Sequence, residues 1–111
     1  MRTAFAHDAV LSFAADGDER EPGAVVTAAL CGRVEHEPPC PLAAHHTAAA
    51  RDGDAVRLRI LFACAPADEP EVRRRIGTAL SARWPVLSSG ASPVRPEESA
   101  HAARLAGAVS R

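Results

Sequence analysis

The chain has 111 residues, 47% hydrophobic and 24% charged, which suits one globular domain with its own core and excludes a disordered chain. Its formal net charge is −1, so no overall field draws it onto nucleic acid or an anionic membrane, and neither partner is expected. Cys31, Cys40 and Cys64 are odd in number and widely spaced, which fits reduced thiols better than a disulfide framework. The stretch Met1 to Asp8 has no long apolar run behind a basic end, and no window reaches the length of a membrane-spanning helix, so a cytoplasmic protein is expected.

In chain order, Ala9 to Ala14 reads as a short strand, with a helix as the alternative because Phe5, Ala9 and Phe13 also fall at helical spacing. Asp16 to Gly23 concentrates charge, glycine and proline, the composition of an exposed connection. Ala24 to Glu37 alternates, with Val26, Ala28, Leu30 and Val34 on one side and Thr27, Cys31, Arg33 and Glu35 on the other, and is expected as a half-buried strand ended by Pro38, Pro39 and Pro41. His46 to Arg51 reads as a weaker strand leading into Asp52-Gly53, a pair suited to a tight hairpin turn. The return strand, Val56 to Cys64, is the clearest: Val56, Leu58, Ile60, Phe62 and Cys64 share one face, while Arg57 and Arg59 lie on the other.

Asp68 and Glu71 mark a helix start, with Pro70 in the first turn. The helix is expected to run to Trp84, with Val72, Ile76, Leu80 and Trp84 as its apolar stripe and Pro85 as its stop. Ser88 to Pro93 has linker composition, and Glu97 to Val109 reads as an alanine-rich helix or a partly disordered tail. These elements predict an α+β domain over residues 1–87: an antiparallel meander sheet of about four strands, one main helix packed on one face, and a loosely attached C-terminal helix in a linker and tail over residues 88–111.

The residues with chemical potential lie in His36-Glu37-Pro38-Pro39-Cys40-Pro41-Leu42-Ala43-Ala44-His45-His46. His36, Cys40, His45 and His46 offer imidazole nitrogen and soft sulfur, the donors of zinc or copper. On a regular strand Cys31 and His36 point to opposite faces, which removes Cys31, and the adjacent His45 and His46 diverge. What remains is an open site of His36, Cys40 and one of the pair, to be completed by water, substrate, His7 or a second subunit.

The leading expectation is therefore a small non-catalytic metal-binding or metal-sensing protein. The alternative is a homodimeric interaction or small-ligand-binding module without metal. Its ground is an open second sheet face bearing Val25, Ala29, Cys31 and Leu61. A thiol-dependent enzyme using Cys40 is the third reading, although no glycine run for an oxyanion hole accompanies it. Arg57 and Arg59 are expected on the opposite side of the sheet from Arg73, Arg74 and Arg75, which argues against one basic patch.

Overall fold

The computed structural model describes residues 2–31 and 43–107, with Cys31 described by its backbone only. Within them the chain forms a four-stranded antiparallel sheet and three α-helices, an α+β fold. The strands are β1 (Thr3–Ser12), β2 (Ala44–Asp52), β3 (Ala55–Cys64) and β4 (Val86–Ser92). The helices are α1 (Glu21–Cys31), α2 (Glu69–Ser81) and α3 (Ser99–Gly107).

The spatial order is β2-β3-β1-β4 rather than a meander. β1 and β2 both pair antiparallel with β3, and so run parallel to each other with β3 between them. Such a pair needs a long return connection, which α1 supplies, and α2 does the same between β3 and β4. The result is the split β-α-β arrangement, two interlocked units sharing one sheet.

This corrects the strand expected at Ala24 to Glu37, whose described part, through Cys31, is helix α1. The run Ala24 to Cys31 is almost wholly apolar, so alternation carries no information there. The decisive spacing is helical: Pro22, Val26 and Leu30, four apart, are all buried, and Pro22 sits in the first turn, where its missing amide costs nothing.

Two helices rather than one therefore cover the same sheet face. Beneath them lie Leu11 from β1, Phe13 just after it, and Val56, Leu58, Ile60, Phe62 and Cys64 from β3, against Val26 and Leu30 of α1 and Val72, Ile76 and Leu80 of α2. The alternation read in β3 holds, with each of those five side chains buried. α2 stops at Ser81, and Trp84 turns back to stack on Phe13, ring centres 5.7 Å apart.

The first strand is longer than expected and starts at Thr3, and Ser88 to Ser92, expected as linker, lies in β4 paired with Ala6 to Val10. Serine and glycine are poor strand formers, but β4 is an edge strand needing only one row of backbone partners. A bulge opposite Val10 and Leu11 leaves Leu87 exposed. α3 contacts β1, β2 and β3. It buries Ala102 and covers the face that carries Leu61, itself buried. Val25 and Ala29 belong to α1. The face that favoured a homodimer is thus covered in part, around Leu61, by the chain's own C-terminal helix.

Two substitutions test local claims. Gly53, in the two-residue β2–β3 turn, has φ 65° and open space around its Cα, so Gly53→Ala should cost about 1 kcal/mol for backbone conformation alone. Thr47 presents a buried hydroxyl with no hydrogen-bond partner among the described residues. Thr47→Val should stabilise by about 1 kcal/mol, and urea titration of both variants reads the opposite signs.

Candidate functional site on the open sheet face

Strand alternation separates the two histidines of β2. His45 faces α1: its Nε2 lies 3.0 Å from Thr27 Oγ1, and its Nδ1 donates to the Ala43 carbonyl over 3.2 Å. His46 faces the opposite side, where its ring meets His101 of α3, centres 4.7 Å apart and planes inclined by 56°. His46 is exposed and His101 half-buried. Burial first, then the neighbouring His46 and Arg104, hold the His101 pKa below the ordinary histidine value against the opposing pull of Glu98, leaving its ring lone pair free of a proton at neutral pH.

His36 and Cys40 lie outside the described residues, so of the expected ligands the structure places His45 and His46, and it does not bring those two together. Among the described residues no group of three or more His, Cys, Asp or Glu side chains converges as a metal centre. His101 was missed in the sequence because it lies in a segment read as a loose tail, and only the docking of α3 sets it beside His46.

α3 is held by Arg59. This β3 guanidinium reaches Asp8 Oδ1 at 3.0 Å, Glu98 at 2.7 and 3.0 Å, the Pro93 carbonyl at 2.7 Å and the Ser92 hydroxyl. The hydrogen bond from Arg59 and the backbone amide of Arg95 lower the Glu98 pKa to about 2, and Glu98 in turn raises that of Arg59. Burial works against the Asp8 charge, but hydrogen bonds from Arg59 and Ser92 keep its pKa below the usual carboxylate range.

Beyond the end of α3 the same sheet face is uncovered. There a groove of about 580 Å³ runs over Val10, Ala48 and Ala50, with Asp8, Arg57 and Arg95 at its sides. As expected, Arg57 and Arg59 are on the far side of the sheet from α2. Arg74 and Arg75 are engaged by Glu71, while Arg73 turns inward to the sheet.

Under α2, that Arg73 makes a second polar cluster. It donates from Nη1 to the Ala6 carbonyl (2.8 Å) and to His7 Nδ1 (3.0 Å), while Glu69 pairs with its guanidinium at 2.8 Å. Arginine only donates, so His7 Nδ1 accepts and Nε2 carries the proton it gives to Ser89 Oγ at 2.8 Å. A serine nucleophile needs the reverse, an unprotonated Nε2 and a carboxylate on Nδ1. The trio Ser89-His7-Arg73 is therefore a structural plug. It also sits on the helix side of the sheet, so His7 cannot complete a site with His46. Cys64 is fully buried, and burial, then Asp68 and Glu69, push its thiol pKa up, so it is no activated nucleophile.

Burial and Arg73 lower the His7 pKa, so as pH falls through the unfolded value of ~6.5 the unfolded chain takes up this proton before the folded one does. Stability should therefore drop between about pH 7 and pH 5, and His7→Gln, which can keep both hydrogen bonds, should flatten that part of a urea-midpoint profile. Glu98→Gln should loosen α3 by on the order of 1 kcal/mol, discounted because the cluster borders solvent, seen as faster hydrogen exchange confined to α3. The stability from Glu98 and Asp8 is present above the unfolded carboxylate range and is lost as pH falls toward 2.

No protein-family model and no curated protein matches this chain, so the functional reading rests on its geometry and chemistry.

Proposed function

We propose that the protein is a small non-catalytic metal-binding or metal-sensing protein with an open zinc or copper site on the face of the sheet that α3 partly covers. The observation that carries this reading is the His46–His101 pair. An ion ~2.1 Å from one nitrogen of each of two imidazoles, at an angle of about 90–110°, sets the ring centres about 4.5–5.3 Å apart. The 4.7 Å spacing lies within that interval. Two imidazoles leave coordination positions open, and Cys40 and His36, six and ten residues before His46, supply donors of the kind that fills them. His45, engaged by Thr27 and Ala43, is outside this set.

A second reading, a small-ligand-binding module, is favoured by the groove beside the histidine pair, whose volume is in the range of small-molecule sites.

Calorimetric titration of chelator-treated protein with Zn²⁺ and Cu²⁺ tests the first reading. One ion should bind per chain. His46→Ala and His101→Ala should each weaken binding about tenfold or more, as should Cys40→Ser, while His45→Ala leaves it within a factor of about two. Affinity unchanged by both His46→Ala and His101→Ala would remove the metal reading.

A further inference from the structure

The groove beside α3 exists because its floor is built of small side chains. Ala48 and Ala50 of β2 lie across β3 from Asp8 and Val10 of β1, in the rows Ala48-Arg59-Asp8 and Ala50-Arg57-Val10. One row nearer the start of β2, Leu61 is buried and the exposed His46 ring meets His101 of α3. In the two uncovered rows no side chain of β2 is longer than a methyl group, and the arginines of β3 are drawn aside by their partners. Arg57 is held by Asp52 at 2.8 Å, and Arg59 by Asp8 and Glu98. What remains is an apolar floor, open from above, of about 580 Å³.

The groove is lined by three guanidiniums, those of Arg57, Arg59 and Arg95, and by two carboxylates, Asp8 and Asp52, with Glu98 against Arg59 as a third, so the charges balance in number but not in pairing. Arg59 is saturated by four partners. Arg95 is exposed and makes no ion pair with a described carboxylate: Glu98 Oε1 accepts from its backbone amide, not its side chain. A planar, always charged fork at the rim of an apolar trough is suited to bidentate contact with a carboxylate or phosphate.

We propose that this groove binds a small amphipathic anion, an apolar body lying on Val10, Ala48 and Ala50 with a single carboxylate or phosphate head held by Arg95. This inference rests on the ligand-binding reading above and names the chemical class of its ligand. Selectivity follows from the two halves of the groove: the trough admits the apolar body, and the exposed Arg95 fork, in no close ion pair with a described carboxylate, favours an anion over a neutral molecule of the same shape. A cation is disfavoured, because all three carboxylates are already paired with arginines.

The test uses two dyes with the same aromatic body on the full chain: anionic 1-anilinonaphthalene-8-sulfonate and neutral N-phenyl-1-naphthylamine. The anionic dye should bind at one site per chain, about tenfold or more tighter than the neutral one. Arg95→Ala should abolish that preference, while Arg20→Ala, at an exposed ion pair elsewhere, leaves it intact. Ala50→Leu, which fills the trough without touching the core, should remove binding of both dyes. Octanoate and octyl phosphate should each displace the dye, the stronger competitor identifying the head group, whereas octanol should not. Equal affinity for the two dyes, with both lost in Ala50→Leu, would overturn the anion class and keep the groove as a binding site. Failure of either dye to bind, or binding indifferent to Ala50→Leu, would overturn the ligand-binding reading itself.

Discussion

The open face of this molecule is organised by one cation. Arg59 stands at the centre of β3 with 15% of its side chain exposed, and a guanidinium so placed must find acceptors or give up solvation worth several kcal/mol. It finds them on three separate segments: Asp8 on β1, Ser92 and Pro93 at the end of β4, and Glu98 in the turn before α3. That convergence fixes where the chain goes after the sheet is complete. It sets α3 over one half of the face and leaves the other half bare, so the position of His101 and the existence of the groove follow from the same set of hydrogen bonds.

The two faces of the sheet do different work. On the helix side, the β3 alternation and the stripes of α1 and α2 make a dry core whose few polar groups are tied to one another. The His7-Arg73-Glu69 cluster shows how: each donor is matched to an acceptor, the tautomer is fixed, and the proton inventory is wrong for nucleophilic catalysis. On the other side, charged and small residues alternate with little to cover them. Both functional proposals therefore fall on this face, and both depend on α3 being docked.

β3 was legible because its two sides differ in kind: five apolar residues alternate with two arginines, and only an extended strand separates them cleanly. The Asp52-Gly53 turn was legible because positive φ has a strong residue preference. α1 was misread for the opposite reason. In a run of alanine, valine and leucine every periodicity is satisfied equally, and the choice passed to topology: two parallel strands separated by a third require a crossover, and a helix provides it. The filter that set Cys31 aside assumed a strand, and its premise fell with that strand.

Of the candidate site, the sequence by itself determined the ligand types and the divergence of His45 from His46, because alternation along a strand is a local property. It also determined that Arg57 and Arg59 face away from the core. Only the tertiary structure decided that His46 meets His101, that Arg95 lines the same groove as Arg57, and that a chain segment with the composition of a linker is an edge strand. Those facts join residues 38 to 86 positions apart, and they depend on strand order and on the reach of Arg59, neither of which is encoded in any local window of the sequence.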